Sequence, residues 1–403
     1  MVTIASPTRD SVATTDLRRF RIVGAGPTGA LLALGLARQG HSVDLIDALP
    51  RQALLDRSRA YAMTHSSRRL LQRLELWSDL SPELTPFTAL RLDDRATHQT
   101  AWFTLNDLND ANRKAEAIGW ILDHRPLMRL LLDRLEQSPR VALRFGVADN
   151  APCASPASVS GEWMIADDGP RSLLRERSGV LYWSHRYQQG CLTAKVRLRG
   201  AEPFTAYELF RPEGPMAVLP LGEDRYQVVW SAPISLCRDR AGSNSMELLS
   251  ALTAILPEEL SVTELLDRPG AFPLELSFAP RLDRHRLLLV GESGHRCHPV
   301  GGQGLNLCWR DVSDLLDLTQ QLRDGVLTSR ALPRRYTRRR RLDLLSVLLA
   351  TDLLIRFFSN RHLLLLPLRR LALVALAQLG WLRRLSLSAM TDGPGTLLRS
   401  LPE

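Results

Sequence analysis

The sequence predicts an α/β fold in which a parallel-stranded domain is combined with a second, β-sheet domain and a helical C-terminal region. Three observations predict this architecture. A short apolar strand near residue 20 runs into glycines, an Ala/Leu-rich helix and a second strand. A glycine-rich stretch at 290–311 follows another apolar strand and leads into a further helix. A long Leu/Arg-rich segment begins near residue 331.

The composition is that of a globular protein with room for more than one domain. The chain has 403 residues, of which 45% are hydrophobic, and a formal net charge of +9. Nearly all cationic side chains are arginines, so we infer no nucleic-acid partner from the basic balance alone. The five cysteines are scattered without a C-x-x-C pair, which favours a reducing compartment over a disulfide framework. The first twenty residues lack the apolar core of a signal peptide and are predicted to be a disordered lead-in.

The first recognisable unit is a strand, a glycine turn, a helix and a second strand. FRIVGAG is an apolar strand ending in glycines, PTGALLALGLARQG is a helix, and HSVDLIDA is a β-branched strand. Gly24, Gly26 and Gly29 form G-x-G-x-x-G, and Asp47 ends the second strand. This spacing suits a tight turn, close approach of the backbone to a pyrophosphate, helix–strand packing and an acceptor for a ribose hydroxyl. The unit therefore predicts a Rossmann-like dinucleotide-binding domain.

The number of such fingerprints favours one dinucleotide. An enzyme that holds FAD and NAD(P)H in separate Rossmann domains is expected to carry two fingerprints, whereas this chain has one, near its N-terminus. A single fingerprint favours a tightly held FAD, with NADH or NADPH as a transient co-substrate.

Three further stretches resemble the flavoprotein aromatic hydroxylases, a family of FAD-dependent monooxygenases. IADDGPRSLLR, at 165–175, is similar to the family's A-D-G-x-x-S-x-x-R segment, and the stretch at 290–311 is similar to its second FAD motif. FRPEGPMAVLPLGEDRYQVVWSAP, at 210–233, resembles the substrate-domain strands of the branch that hydroxylates ubiquinone precursors. The residues that match the first two motifs are Asp168, Gly169, Ser172, Arg175, Gly291, His295, Pro299, Gly302, Gln303, Gly304 and Asn306.

The resemblance implies a role for each of these residues. Gly302, Gln303 and Gly304 are expected to form a backbone loop at the flavin, and with His295 they are the catalytic candidates. Glycines leave backbone N–H groups uncovered, and a helix N-terminus there favours negative charge on the reduced flavin. The residues expected to bind the cofactor are Gly24, Gly26, Gly29, Asp47, Arg59, Arg125, Asp168, Gly169, Gly291, Glu292, Pro299, Gly301, Leu305 and Asn306.

Two histidines and two cysteines in the stretch at 290–311 raise the alternative of a metal site. Their C-H-x9-C spacing is not that of a structural zinc site, and Pro299 with the surrounding glycines fits a cofactor loop better. Cys297 and Cys308 have no base beside them in the sequence and are interpreted as packing residues. We therefore predict no metal.

The chain departs from the family pattern at three places. Glu292 stands where the family usually has an Asp that meets a ribityl hydroxyl, and Asp167 stands where the family has a small residue. The segment 147–163 is a Ser/Ala/Pro-rich connector where the family usually has a longer β-meander. The connector predicts that this layer of the FAD domain is trimmed.

These observations predict three regions. The FAD-binding domain comprises 18–75, 106–175 and 284–330, the β-sheet substrate domain comprises 76–105 and 176–283, and a helical region comprises 331–403. The helical region is rich in leucine, but arginines interrupt it before it reaches the ~20 apolar residues of a spanning helix. Helices lying on an anionic membrane surface and helices packed on the core are both compatible with this pattern.

We predict an FAD-dependent monooxygenase that hydroxylates the aromatic ring of a polyprenylated phenol or quinone precursor, using O2 and a reductant such as NADH or NADPH. The product would belong to ubiquinone or plastoquinone biosynthesis. Such a substrate favours a cytoplasmic protein peripheral to the inner or cytoplasmic face of a membrane, with other quinone-biosynthesis proteins as candidate partners. Three alternatives stay open: a flavin halogenase, which lacks support because no W-x-W-x-I-P segment occurs, a prenyl reductase, and a non-catalytic FAD-binding scaffold subunit.

Overall fold

The computed structural model describes residues 18–147 and 162–394, so residues 1–17 of the predicted lead-in and most of the 147–163 connector lie outside the described residues. The last residues of the predicted lead-in belong to the first strand, which begins at Arg19. The strands are β1 (Arg19–Val23), β2 (Ser42–Asp47), β3 (Ala60–Met63), β4 (Leu84–Phe87), β5 (Ala89–Asp94), β6 (Gln99–Thr104), β7 (Gly119–Asp123), β8 (Val141–Phe145), β9 (Glu162–Ala166), β10 (Trp183–Arg199), β11 (Thr205–Phe210), β12 (Met216–Pro220), β13 (Arg225–Pro233), β14 (Ser261–Leu265), β15 (Gly270–Phe278), β16 (Asp283–Arg284), β17 (Leu287–Leu289) and β18 (His295–Arg296). The helices are α1 (Pro27–Arg38), α2 (Arg51–Leu55), α3 (His65–Arg73), α4 (Trp77–Leu80), α5 (His124–Glu136), α6 (Leu173–Arg177), α7 (Ile234–Gly242), α8 (Ser245–Thr253), α9 (Gln303–Arg323), α10 (Leu332–Phe358), α11 (Leu366–Gln378) and α12 (Gly380–Asp392).

A six-stranded sheet with the order β16-β17-β9-β1-β2-β8 forms the first layer. Five of its strands, β17, β9, β1, β2 and β8, run parallel to one another, so their carboxyl ends meet at one edge. β1 is central because its apolar residues Phe20 and Ile22 are fully buried. Ligands of such sheets bind outside the carboxyl ends of the strands. The predicted α/β class with a Rossmann-like domain is confirmed.

Helix α1 packs closely between this sheet and α9 because its sequence is rich in small residues. Every residue of α1 from Thr28 to Ala37 is buried. A Cβ at Gly35 would lie 2.5 Å from the Leu316 side chain, so glycine sets how near α9 can approach. The close packing fixes the N-termini of α1 and α9 on the same side of the sheet.

The second layer is a nine-stranded sheet with the order β18-β15-β10-β13-β12-β11-β5-β6, in which β14 also pairs with β10. On one face, Tyr207, Leu209 and Trp230 pack against the helices α7 and α8 through Cys237 and Leu252. The opposite face carries Ala206 and Phe210 and packs against the 300–302 turn and the C-terminal helices. A third, small sheet has the order β3-β7-β4.

The two large sheets draw on different segments of the chain. The six-stranded sheet uses strands at 19–47, 141–166 and 283–289, and the nine-stranded sheet uses 89–104 and 183–278. One exception is β18, which comes from the glycine-rich stretch and joins the nine-stranded sheet beside β15. That stretch therefore connects both sheets.

The C-terminal helices pack across both layers. α10 lies along α9 and β16, and its last residue, Phe358, stacks on Phe210 of β11 with ring centroids 4.3 Å apart. α11 lies along β6. Across the described ranges, no single helix has the length and apolarity to cross a membrane. The pair Leu363–Gln378 and Gly380–Asp392 meets that test jointly, by length and composition only, with a bend of 96° between its two halves.

Several arginines of this region lie inside the protein rather than on its surface. The Arg369 side chain is fully buried, and its Nε donates to the Phe357 carbonyl at 2.7 Å, near the C-terminus of α10. The Nε of Arg383 donates to Asp107 at 2.8 Å. These two arginines hold α11 and α12 on the core, as the packed-helix alternative requires. Arg370 and Arg384, their sequence neighbours, form no part of these contacts.

A buried ion cluster joins α10 to α9. Arg340, which is 2% exposed, lies 2.6 Å from Asp311, 3.1 Å from Asp314 and 2.9 Å from Asp343. Arg310 also donates from Nε to Asp343 at 2.8 Å. Buried charges persist only where they are paired and hydrogen-bonded; here Arg340 is the cation shared by three carboxylates, and Arg310 is a second partner of Asp343.

Replacing Arg340 by alanine is expected to lower the free energy of unfolding by about 3–5 kcal/mol, because buried carboxylates then lose their shared cation. The matched control is Arg341→Ala, which removes the next, exposed arginine and is expected to change stability by about 0.5 kcal/mol or less. Urea unfolding of both variants followed by circular dichroism measures the difference. Equal effects of the two substitutions would contradict the role given to the cluster.

Candidate active site

The G-x-G-x-x-G turn leads from β1 into α1, and two of its glycines are required by packing. Gly24 has φ +111°, and a Cβ there would lie 2.1 Å from the Asp167 carbonyl oxygen at the end of β9. A Cβ at Gly29 would lie 2.0 Å from the Gly24 carbonyl oxygen. The turn therefore closes onto β9 and the start of α1 only because both positions lack a side chain.

Gly26 and Gly304 differ from these two glycines because the fold itself leaves room for a side chain at both. A Cβ at either position would meet no atom within 4 Å. Gly26 is the N-cap of α1, and Gly304 is the second residue of α9. Two helix N-termini on the same side of the sheet thus present uncovered backbone to open space. A flat, anionic dinucleotide such as FAD fits such a cradle.

Asp47 is the last residue of β2, and its carboxylate also stabilises the turn. Its Oδ2 accepts from the Ala25 N–H at 2.7 Å, and its Oδ1 accepts from the Leu49 N–H at 2.8 Å. Each carboxylate oxygen can accept a second hydrogen bond. The predicted contact with a ribose hydroxyl is therefore compatible with these two bonds and stays a prediction.

Asp167 fills the space between the turn and the glycine-rich stretch. Its Oδ2 accepts from the Gly29 N–H at 2.7 Å, and its Oδ1 lies 2.6 Å from where a Cβ at Gly291 would be. Burial raises the pKa of Asp167 well above its ordinary value; the Gly29 N–H opposes this, whereas nearby carboxylates, Asp168 first, add to it. The departure from the family pattern therefore places a carboxyl group that favours its neutral form beside the helix N-terminus.

Asp168 and Gly169 follow at the carboxyl edge of the sheet. The Oδ2 of Asp168 accepts from the Leu174 N–H at 3.3 Å, whereas its Oδ1 is buried without a partner within the described ranges. An unpaired buried acceptor is costly unless a ligand or water supplies a donor. Asp168 is thus available to a hydroxyl group bound in the cleft. Gly169, at φ +82°, has open space at its Cβ position.

Ser172 and Arg175 support this edge from behind. Ser172 caps α6 by accepting from the Arg175 N–H at 3.0 Å. The Arg175 guanidinium donates to the Ser293 carbonyl at 2.8 Å and stacks on Tyr182 at 3.6 Å from the ring centroid. The segment at 165–175 is thereby tied to the glycine-rich stretch that follows β17.

The glycine loop, defined here as Pro299 to Gly304, turns the chain into α9. Gly301 and Gly302 adopt φ +67° and +62°, a left-handed conformation that favours glycine. The amide of Gln303 donates to the Gly301 and Met390 carbonyls, each at 3.2 Å. Gln303 thus holds the loop shape and links it to α12.

Asn306 anchors the first turn of α9. Its Oδ1 accepts from the Thr64 N–H at 3.0 Å and the Ser67 hydroxyl at 2.6 Å, and its Nδ2 donates to the Ala62 carbonyl at 2.6 Å and the Gly302 carbonyl at 2.9 Å. These bonds occupy both ends of the amide. Asn306 therefore fixes the loop against β3 and α3, and its predicted cofactor contact stays untested.

His295 lies behind the loop rather than on the open side. It is 1% exposed, and its Nε2 lies 2.6 Å from Asp311 Oδ2, which also accepts from the Gly291 N–H at 2.9 Å. Burial would raise the pKa of Asp311, but His295 and Arg340 outweigh it and the pKa is lowered. We interpret His295 as a positioning residue that connects the stretch to α9.

Four further residues were predicted to bind the cofactor, and their surroundings are as follows. Glu292 is partly exposed, with an oxygen 4.0 Å from Arg296 Nε. The Arg59 guanidinium lies 5.5 Å from the Phe272 ring centroid on the nine-stranded sheet. The exposed Arg125 lies 4.0 Å from Asp56. Leu305 packs against the main core.

The cysteines of the glycine-rich stretch are in surroundings that make their thiols unreactive. Burial raises the pKa of Cys297 to about 12 and that of Cys308 well above its ordinary value, so both thiols stay protonated and unreactive. Within residues 18–147 and 162–394, no three His, Cys, Asp or Glu side chains form a group suited to a metal ion.

Two functional residues escape a search for motifs. Asp311 is the last residue of the glycine-rich stretch, and Glu208 of β11 accepts from the Gly301 N–H at 3.4 Å. The sequence does contain a signal for Asp311. Asp311 and Asp314 are three residues apart, and so are Arg340 and Asp343, and residues at this spacing lie on the same face of a helix. Glu208 has no comparable signal.

The comparisons with known proteins agree with this geometry. The family described as FAD binding domain matches residues 19–342. The ubiquinone hydroxylase UbiL of Rhodospirillum rubrum is 31% identical, over 93% of this chain and 89% of that protein. The 3-demethoxyubiquinol 3-hydroxylase of Escherichia coli is 29% identical, over 93% and 98%. The structure of p-nitrophenol 4-monooxygenase PnpA from Pseudomonas putida superposes with a TM-score of 0.74 at 17% identity, covering 94% of this chain and 99% of that one.

These matches confirm the predicted family and FAD as the cofactor. The chain belongs to the FAD-binding domain family and is an FAD-dependent monooxygenase related to the ubiquinone hydroxylases.

Proposed function

We propose that this monooxygenase hydroxylates the aromatic ring of a polyprenylated phenol, as in ubiquinone or plastoquinone biosynthesis, with NADH or NADPH as reductant. The names of the Rhodospirillum and Escherichia coli relatives, which align over nearly their whole lengths, support a quinone precursor as substrate.

The open space at Gly26 and Gly304 supports the proposed binding of FAD. Gly26 and Gly304 are dispensable for packing, yet both face open space at the carboxyl edge of the parallel strands. We assign Gly26 to the pyrophosphate and Gly304 to the ring system of FAD, since the two positions begin different helices. Asp168, whose Oδ1 has no partner within the described ranges, is assigned to a hydroxyl of the cofactor.

The residues around the loop would orient the reactants and limit water. When bound, FAD supplies the two-electron chemistry that activates O2 for transfer of one oxygen atom to an electron-rich ring. The Gly301 and Gly302 backbone and the α9 N-terminus favour negative charge developing beside them. The nine-stranded sheet meets the same loop through Glu208 and Gly301, and we assign the substrate ring to the vicinity of this contact.

Substituting the two open glycines tests this assignment. Gly26→Val is expected to weaken FAD binding by roughly tenfold or more, because the side chain occupies the space for a pyrophosphate. Gly304→Leu is expected to abolish ring hydroxylation while the protein still folds. The matched control is Gly242→Val at the end of α7, where the Cβ position is equally open but distant in the fold from the cleft.

The measurement is FAD fluorescence on titration, combined with mass spectrometry of a prenylated phenol incubated with NADH or NADPH and isotopically labelled O2. Wild type and the Gly242→Val variant should bind FAD and give product carrying one labelled oxygen. Unimpaired FAD binding by Gly26→Val would contradict the pyrophosphate assignment. Labelled product from Gly304→Leu at the wild-type rate would contradict the placement of the ring.

The C-terminal region offers apolar surface for a membrane-resident substrate. We define the exposed leucines as Leu342, Leu345, Leu349 and Leu353 of α10 and Leu363, Leu364, Leu368 and Leu371 in and before α11. The four on α10 recur at helical spacing, and Leu363 and Leu364 are 78% and 90% exposed. Exposed apolar side chains flanked by arginines suit the interface of a bilayer.

We expect the variant Leu363→Glu/Leu364→Glu to lose binding to vesicles containing anionic lipid, because two charges replace the apolar contact. The matched control is Met246→Glu, which changes an equally exposed apolar residue (81%) at α8. Vesicle flotation at low and high salt measures binding, and the electrostatic part should weaken with salt because charges are screened beyond about 10 Å at 0.1 M. Wild-type flotation of the double variant would count against a membrane-binding role for these leucines.

A further inference from the structure

Glu208 places a carboxyl group between the apolar side chains of Ala206 and Phe210 on one face of β11. Side chains alternate along β11, so Ala206, Glu208 and Phe210 share one face, and Tyr207 and Leu209 share the other. Ala206 and Phe210 belong to apolar clusters, and Glu208 is 7% exposed. This is the face that meets the glycine loop.

Few interactions offset the cost of burying the carboxyl group of Glu208. Its Oε2 accepts one long hydrogen bond, 3.4 Å from the Gly301 N–H. Within the described part of the chain, no arginine, lysine or histidine forms an ion pair with it, and no other hydrogen bond reaches it. An unpaired buried carboxyl group costs stability, so packing alone gives no reason for a glutamate here.

The surroundings favour a carboxyl group that changes protonation near neutral pH. Burial raises the pKa of Glu208 to about 7, opposed only by the Gly301 N–H. On β10, burial raises the pKa of Cys191, so that thiol is neutral. Just before the glycine loop, burial lowers the pKa of His298 to about 3, so this ring is also neutral. No fixed charge therefore dominates the protonation of Glu208.

We propose that Glu208 is the base that accepts the proton of the phenolic hydroxyl of the substrate. The inference rests on the proposed function. In this step the O–H bond of the phenol breaks, an O–H bond forms on a Glu208 oxygen, and the electron pair stays on the phenolate oxygen. Nothing is oxidised or reduced. The more electron-rich ring then reacts more readily at the flavin loop, and Glu208 returns its proton to product or water.

A purely structural role would be to hold the Gly301 N–H, and Glu208→Gln separates the two roles. The amide oxygen of glutamine still accepts from that N–H but cannot take up a proton near neutral pH. We expect Glu208→Gln to bind FAD normally and to lower kcat by about a hundredfold or more, with little change in KM. The matched control is Glu264→Gln, which changes an exposed glutamate on β14 in the same sheet.

The pH profile gives the second readout. An acid whose pKa lies at about 7 acts as a base only when ionised, so kcat of the wild type should rise through pH 7 and then level off. This rising limb should be absent in Glu208→Gln and shifted in Glu208→Asp, which keeps a carboxyl group. A wild-type rate or an unchanged limb in either variant would overturn the proposal, and the aspartate variant provides the test if the glutamine variant does not fold.

Ionisation of the bound phenol is read directly by ultraviolet absorbance. A prenylated phenol bound to FAD-loaded wild type should give the phenolate band at a lower pH than the same phenol bound to Glu208→Gln. Equal ionisation in both proteins would overturn the proposal. Absence of hydroxylated product with wild type would instead count against the proposed function, since the absorbance readout needs binding but no turnover.

Discussion

The hydrogen bonds and ion pair at Asp311 hold the active-site cleft together. This carboxylate on α9 has no exposed surface and accepts from the Gly291 N–H, lies against His295, and pairs with Arg340 of α10. Gly291 lies just after β17, so the Asp311 side chain links the parallel sheet, the glycine-rich stretch and the C-terminal region. Breaking one buried partner would leave charge uncompensated, and the cluster therefore acts as a unit.

This constraint explains why the C-terminal helices belong to the active site although they carry none of its motifs. α10 supplies Arg340, and α12 supplies the Met390 carbonyl that Gln303 binds at 3.2 Å. α10 also leaves leucines exposed, so the helix that supplies Arg340 carries both a buried charge and apolar surface.

Local backbone requirements explain what could be predicted from the sequence. The turn at Gly24 and Gly29 and the left-handed pair Gly301 and Gly302 need glycine at fixed spacing, so the cofactor edge was predictable. Contacts between segments that are far apart in the sequence were not predictable. Glu208 lies 93 residues from Gly301, and strand periodicity alone does not indicate which face of β11 meets the loop. Likewise, an arginine-rich segment does not reveal that Arg340 is buried, because pairing depends on where α9 places its carboxylates.

We expect the FAD site and α10 to be coupled through Asp311. Amide hydrogen exchange of the whole chain, with and without added FAD, measures this coupling most directly, since local protection reports the stability of each segment. FAD is expected to slow exchange in the G-x-G-x-x-G turn, in the stretch from Gly291 to Asn306, and in the turns of α10 around Arg340. Protection confined to the turn at Gly24–Gly29, with unchanged exchange in α10, would contradict this coupling.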